Sequence, residues 1–203
     1  MSAGRVVTEA DVREAAKAGR GLGVPPGAVV TPAARDLARS LGISLTETES
    51  GRPPRPVVAL GADHGGYPLK EQLKGPLADL GYEVLDVGTG GTEAVDYPDF
   101  AVAVARAVAQ GRAWRGIMID GAGIGSSMAA NKVRGVRAAL CYDLTTAQNA
   151  REHNDANVLT LGGALIGTRL AVDIVRTFLA TEFGGGRHAR RVDKINSLDT
   201  ARG

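Results

Sequence analysis

From Val57 onward, apolar runs of strand length alternate with amphipathic segments of helix length, and this alternation constrains the fold more than any other feature. The runs predicted as strands lie at residues 57–61, 83–88, 116–121, 136–142 and 156–162, and the predicted helices lie at 67–80, 99–110, 125–133, 144–152 and 167–181. Five such units indicate an α/β fold with a mostly parallel five-stranded sheet, covered by helices on both faces. Ligands bind such sheets at the carboxyl ends of the strands.

A shorter segment, residues 1–56, precedes the region of alternating strands and helices. Residues 47–56, ETESGRPPRP, contain three prolines and no apolar periodicity, which is typical of a linker. Residues 1–46 hold two helix signals, one beginning at Thr8 and one at Thr31, and no internal repeat is evident. So short a piece is not expected to be an enzyme by itself. We interpret residues 1–46 as a docking or adaptor segment, the alternative being a passive extension of the domain at 57–203.

Composition excludes several classes of protein. No apolar run approaches the roughly 18–20 residues of a membrane span, and the N-terminus lacks the apolar stretch of a secretory signal. The single cysteine, Cys141, cannot form an internal disulfide, which favours a cytoplasmic location. A net charge of +2 is no nucleic-acid footprint. The charge is uneven, however, because residues 184–203 carry five basic and only two acidic side chains.

Two predicted strands end in sequences that could bind or transform a ligand. The first strand runs into Asp63 and His64, flanked by glycines, which indicates either an exposed polar pair or an Asx-type turn that happens to contain histidine. The third runs into Asp120 and the G-x-G-x-G loop 121–125, ahead of a helix. Converging N–H groups in such a loop suit a phosphate or a developing oxyanion. The loop is neither a dinucleotide motif nor a P-loop, and by itself it is weakly specific.

Further polar residues lie near the chain's later junctions. His153 and Asn154 follow the fourth predicted helix, and we expect them near the same strand ends. Two histidines and an aspartate beside such junctions favour a proton-transfer site. In the tail, Arg187 and Arg191 are four residues apart, so on a helix they share a face and could hold one anion. The alternative is a solvated basic helix.

Six separated motifs, in order, resemble the ribose-5-phosphate isomerase B family, which includes the galactose-6-phosphate isomerase subunits. The motifs are GADHGGYPLK, DVGT, DYPDFA, GAGIGSSMAANK, REHNDANVLTLG and GGRHARRV. The resemblance covers Val57 to about Leu198 and implies a Rossmann-like three-layer α/β/α sandwich. It also implies a homodimer or tetramer with active sites at a subunit interface, no metal or organic cofactor, and aldose–ketose interconversion of a phosphosugar through a cis-enediolate.

The resemblance also implies roles for individual residues. Asp63 matches the residue that hydrogen-bonds substrate hydroxyls, and His153 the one that assists ring opening. Asn154 matches a contact to the enediolate oxygens, and His64 a residue near the phosphate. The loop matches the source of N–H groups for the oxyanion, and the tail matches the phosphate-binding arginines. The loop and tail residues concerned are Gly121, Gly123, Gly125, Arg187 and Arg191.

Four departures from the family pattern bear on mechanism. Asp120 stands where many members have a catalytic cysteine, and Ser126 where another branch has a catalytic glutamate. Ala122 replaces a threonine, and Ala164 an arginine. We interpret Asp120 as the base, since burial can make a carboxylate a competent one, and include Ser126 among the substrate-binding residues.

These departures leave two alternatives to ribose 5-phosphate isomerisation. One is an isomerase of a tetrose or hexose phosphate. The other is a phosphosugar-binding homologue without catalysis. Residues 1–46 are themselves similar to segments attached to enzymes of bacterial microcompartments, which predicts shell or cargo partners and a location inside such a compartment. No nucleic-acid or membrane partner is expected.

Overall fold

A computed structural model of the chain describes residues 6–17, 21–24, 28–47 and 56–199. The chain divides into two compact units, Met1–Pro54 and Arg55–Gly203. Of the predicted linker, residues 48–55 lie outside the described residues. In the part of the chain that the structure describes, no helix is long and apolar enough to cross a membrane.

The first unit contains two β-α-β halves. Its elements are β1 (Val6–Val7), α1 (Glu9–Lys17), β2 (Leu22–Val24), β3 (Val29–Val30), α2 (Pro32–Ser40) and β4 (Leu45–Glu47). Strand β1 pairs with β3 and β2 with β4, both in parallel, and Val6 lies opposite Val29 as Leu22 lies opposite Leu45. Both pairings join residues 23 positions apart, so the halves are structural repeats. Sequence inspection missed this repeat because the halves share little beyond Val-Val-Thr.

Both predicted helix starts in the first unit are confirmed. The backbone N and Oγ1 of Thr8 donate to Asp11 Oδ2 at 2.7 and 2.8 Å, and Thr31 Oγ1 accepts from Ala34 N at 3.2 Å. These bonds satisfy groups at each helix start that the helix itself leaves unpaired. Val12, Ala34 and Ala38 form the buried centre of the unit.

The second unit has the predicted α/β architecture. Its strands are β5 (Val57–Ala62), β6 (Glu83–Asp86), β7 (Arg115–Asp120), β8 (Ala138–Leu140) and β9 (Val158–Gly162). They form one five-stranded sheet in the order β6-β5-β7-β9-β8, and every pairing is parallel. Strand β8 is shorter than the predicted 136–142, because only its middle residues pair with β9.

Helices cover both faces of this sheet. They are α3 (Tyr67–Asp79), α4 (Tyr97–Ala109), α5 (Ile124–Ala130), α6 (Leu144–Glu152), α7 (Thr168–Ala180) and α8 (Ala189–Ser197), with a 3₁₀ turn at Gly186–His188. One buried cluster includes Leu73, Ile117 and Phe178, and a second includes Val104 and Met118. Alternate residues of β7 thus enter different clusters, as expected for a central strand buried on both faces.

The direction of the helices decides which loops share an edge of the sheet. In a parallel sheet, each connecting helix returns the chain from the carboxyl ends of the strands to their amino ends. The segment after α6 therefore lies at the amino ends, where Asn157 N donates to Arg137 O, just before β8, at 3.0 Å. The segment after α7 lies there too, since Gly184 N donates to Glu152 O at 2.9 Å.

Candidate active site

Two aspartates lie side by side at the carboxyl end of the sheet. Ala62, the last residue of β5, pairs with Ile119 of β7, so Asp63 and Asp120 continue adjacent strands. Asp63 N donates to Ile119 O at 3.2 Å. The two residues are only 6% and 5% exposed. The ends of the first and third predicted strands therefore lie next to each other in the sheet.

The Asp120 carboxylate is surrounded by hydrogen-bond donors from the loop that follows it. Oδ1 accepts from Ala122 N at 2.8 Å and from Gly123 N. Oδ2 accepts from Ser126 N at 3.1 Å and from Ser126 Oγ. A carboxylate offers about four lone-pair positions, so these donors occupy all of them. The anion that this loop binds is therefore the chain's own Asp120 carboxylate.

This arrangement bears on the predicted substrate site. Gly123 is buried and its N–H donates to Asp120, and Ser126 is fully buried with both donors on Asp120. The assignment of Gly123 and Ser126 to substrate binding stays a prediction, because in this structure Asp120 takes up their donors. The N–H groups of Gly121 and Gly125 have no hydrogen-bond partner among the described residues, so they remain candidates for holding a substrate oxygen.

Asp63 differs from Asp120 in how its carboxylate is used. Oδ1 accepts from Gly66 N at 2.9 Å, which forms the Asx-type turn considered above, while Oδ2 has no hydrogen-bond partner within the described part of the chain. His64 is exposed, and its Nδ1 lies 3.2 Å from both the N and the O of Val95. Asp63 and His64 thus remain available to a ligand at this edge.

Tyr97 also lies at the carboxyl end of the sheet, and the sequence did not predict it there. A Cβ placed on Gly125 would lie 2.5 Å from Tyr97 Cζ, so the tyrosine ring rests against the loop backbone. The residue is 40% exposed, which leaves it accessible to a ligand held by the loop. The motif DYPDFA contained this residue, but nothing in its spacing indicated a position over a distant loop.

A buried cation supports the neighbouring loop. Lys70 Nζ bonds to both carboxylate oxygens of Asp86, at 2.9 and 2.7 Å, and to Thr89 O at 2.8 Å. Thr89 N in turn donates to Ala62 O at 2.9 Å, directly before Asp63. Burial alone raises the pKa of Asp86, but the bonds from Lys70, Lys74 and Gly88 N outweigh it and hold this pKa below its usual range.

His153 and Asn154 lie at the opposite edge of the sheet. They follow α6 and precede β9, so the expectation that they share the strand-end site with Asp63 within one chain is wrong. Asn149 Nδ2 and His153 Nδ1 are 2.8 Å apart, and the His153 ring stacks on His188 with centroids 4.2 Å apart. These contacts fix the orientation of His153 at the amino ends of the strands.

The basic tail joins this second cluster. Arg187 lies in the 3₁₀ turn and Arg191 in α8, so the prediction of a single helix carrying both is only partly right. Arg187 Nε is 3.4 Å from His188 Nε2, and neither arginine forms an ion pair within the described ranges. Partial burial, followed by His153 and the two arginines, lowers the pKa of His188 below its usual value.

The two clusters are separated by the length of the sheet. Strands of five to six residues span roughly 15–20 Å at about 3.3 Å per residue. One small ligand cannot contact Asp120 and His153 of the same chain across that distance. The chain therefore presents a carboxylate and glycine-loop half at one edge and a histidine and arginine half at the other.

Neither the cysteine nor a metal-binding cluster contributes to the site among the described residues. Cys141 is buried, which raises the pKa of its thiol to about 11, so this residue packs as a small hydrophobe and is no candidate base. Over the described ranges, His, Cys, Asp and Glu side chains form no group of three that could hold a metal ion.

Comparisons with known proteins agree with this geometry. Residues 58–195 match the family described as Ribose/Galactose Isomerase. Ribose-5-phosphate isomerase B of Escherichia coli is 44% identical over 145 residues, covering 71% of this chain and 97% of that protein. D-erythrulose-4-phosphate isomerase of Pectobacterium atrosepticum is 42% identical over 139 residues, covering 68% and 91%. The solved ribose-5-phosphate isomerase B of Clostridium thermocellum aligns with a TM-score of 0.71 at 52% identity, covering 72% and 99%.

The buried, left-handed Gly123 gives a test of the loop. Its φ is +78°, and an added Cβ would lie 2.5 Å from Leu140 Cδ1 and 2.8 Å from Leu161 C. We expect Gly123→Ala to lower the free energy of unfolding by about 2–4 kcal/mol, measured by urea denaturation. Gly90→Ala is the control, because Gly90 is exposed with nothing within 4 Å, and it should change stability by less than about 0.5 kcal/mol. Equal stability of the two variants contradicts this account of the loop.

Proposed function

Because the chain belongs to the ribose/galactose isomerase family and is a sugar-phosphate isomerase, we propose that its substrates are ribose 5-phosphate and ribulose 5-phosphate. The observation that carries this choice is the match to ribose-5-phosphate isomerase B of Escherichia coli, which spans 97% of that protein. The proposed reaction needs no metal or organic cofactor.

A different phosphosugar is the first alternative. The D-erythrulose-4-phosphate isomerase is nearly as similar to this chain, at 42% identity. Ala164 N donates to Gly121 O at 3.1 Å, so the position where the family resemblance implies an arginine lies against the loop. A small apolar residue there changes the space and charge beside the substrate, which favours a substrate other than the pentose phosphate.

The proposed mechanism proceeds through a cis-enediolate. His153 assists opening of the sugar ring, and Asp63 Oδ2 accepts hydrogen bonds from substrate hydroxyls. Asp120 removes the proton from the carbon next to the carbonyl and returns it to the neighbouring carbon, while a proton moves between the two oxygens. The N–H groups of Gly121 and Gly125 stabilise the negative oxygen that develops. Asn154 contacts the enediolate, and His64, Arg187 and Arg191 bind the phosphate.

Asp120 can serve as base only if it gives up a donor. All of its lone-pair positions are occupied, so a carbon-bound proton needs one of them vacated. The bond from Ser126 N is the longest of the four, at 3.1 Å. The second alternative, a phosphosugar-binding protein in which Asp120 only shapes the loop, is compatible with the same occupancy.

Exchange of the reacting proton separates these alternatives. We expect wild-type enzyme in heavy water to place deuterium next to the carbonyl of ribose 5-phosphate, followed by mass spectrometry. In Asp120→Asn the amide cannot take up the proton, so exchange and turnover should fall at least about 1,000-fold while binding persists.

Three results would redirect the proposal. Faster exchange of a tetrose or hexose phosphate reassigns the substrate. Binding of all the sugars without exchange of any supports the non-catalytic alternative. An Asp120→Asn variant with near-wild-type turnover removes Asp120 as the base.

We further propose that two copies of the chain complete each site. The carboxylate half of one copy would meet the histidine and arginine half of another, since neither copy holds both at one edge. A groove of about 590 Å³ runs along the edge strand β8 and is lined by residues that include Arg137, Cys141, Asn149, Asn154 and Ile195. Asn154 therefore lies on a surface that a second copy could cover. A homodimer is the smallest assembly that meets this requirement, and a tetramer of such dimers meets it as well.

Mixed dimers test the shared site. Asp120→Asn and His153→Ala damage different halves, so a dimer with one of each retains one intact site. Co-expression at equal levels should restore about a quarter of wild-type activity, because half the dimers are mixed and each has one good site of two. Activity that stays at the level of the separate variants contradicts a shared site.

Residues 1–46 have a separate proposed role. The family match spans residues 58–195, within the second unit, and the two relatives named above are covered over 97% and 99% of their own length. This supports a function for the first unit outside the reaction. We propose that it docks the enzyme to shell or cargo proteins of a bacterial microcompartment in the cytoplasm. The repeated β-α-β halves provide a compact body for such a contact.

Deletion of residues 1–50 tests the docking role. We expect the shortened enzyme to keep isomerase turnover within about two-fold, since the second unit has its own core. Co-purification with shell proteins in the host should be lost. Unchanged co-purification contradicts the docking role, and lost turnover contradicts the independence of the units.

A further inference from the structure

We propose that Ser126 is the positioning residue of Asp120, holding the carboxylate aligned through a buried side-chain hydrogen bond. This inference rests on the proposed function, in which Asp120 is the base. Ser126 Oγ and Ser126 N both donate to Asp120 Oδ2, and the serine is fully buried. The family resemblance offers no such role, because the branch with an assigned residue at this position has a glutamate there.

Because the site is buried, the Ser126 hydroxyl has a large effect on the Asp120 carboxylate. A hydrogen bond to an ionised group is stronger than one between neutral groups. In a water-poor site such a bond therefore stabilises the charged form of its acceptor. Asp120 is 5% exposed, so water cannot fully replace a donor that is removed. The hydroxyl also restrains Oδ2, because Ser126 is anchored in the first turn of α5.

Among the described residues, no other side chain donates to Asp120. Asp63 after β5 is a carboxylate, and Tyr97 at the start of α4 lies against Gly125. Helix α5 and strand β9, which pack on this end, contain no charged residue. The other donors to Asp120 are backbone N–H groups, which a side-chain substitution leaves in place.

The adjacent serine provides a matched control. Ser127 Oγ contacts Ala138 O at 3.4 Å, away from Asp120. The test compares Ser126→Ala, Ser126→Cys and Ser127→Ala with the wild type in the full-length enzyme. One readout is the pH profile of kcat with ribose 5-phosphate. The second is the pH titration of the Asp120 carboxyl carbon by ¹³C NMR, with its signal identified from its loss in Asp120→Asn.

We expect Ser126→Ala to shift both the acid limb of kcat and the carboxyl titration to higher pH by about one unit. The plateau of kcat should fall about ten-fold with KM within two-fold, because the base is less well held. Ser126→Cys, whose thiol is a weak donor of similar size, should give values between those of the wild type and Ser126→Ala. Ser127→Ala should match the wild type.

Each outcome separates the inference from the proposed function. A carboxyl titration in both Ser126 variants equal to that of wild type overturns the positioning role, whatever the activity. A titration that shifts while the acid limb of kcat stays unchanged supports the hydrogen bond and removes Asp120 as the base. Should Ser126→Ala fail to fold, Ser126→Cys decides the question by the same two readouts.

Discussion

The binding of the Asp120 carboxylate by its own loop is the interaction on which the candidate site depends. Four donors from residues 122–126 converge on it, so the loop is shaped around an anion that the chain supplies. A loop with alternate glycines can bring successive N–H groups together. Without an anion between these N–H groups, nothing would hold the loop in that shape. The carboxylate stabilises the loop, and the same bonds limit its freedom to act as a base.

The parallel sheet imposes the second constraint. Each helix carries the chain back to the amino ends of the strands, so residues that follow α6 and α7 cannot join those that follow β5 and β7. The chemistry attributed to the family therefore needs groups from both edges of the sheet. In the proposed homodimer, a second copy of the chain supplies the missing half without any change in the fold.

The two units of the chain are organised by different rules. The second is a sheet with two hydrophobic faces and has relatives along nearly its whole length. The first is a small pair of repeats in which equivalent residues of the two halves lie opposite each other. The catalytic argument uses residues of the second unit alone, which is why a separate docking role is assigned to the first.

The sequence alone determined the order and type of the elements, the parallel sheet and the position of Asp63 and Asp120 at strand ends, because periodicity and strand ends are local properties of the chain. That β5 and β7 are neighbours, so that Asp63 meets Asp120, was decided by the tertiary structure. The sequence could also have placed His153 correctly, since a residue between a helix and the next strand lies at the amino ends. Only the tertiary structure decided that Ser126 and Gly123 face Asp120 and that Tyr97 covers Gly125. Those contacts depend on how a loop folds over a neighbouring strand, and no spacing in the sequence records which of its donors turn inward.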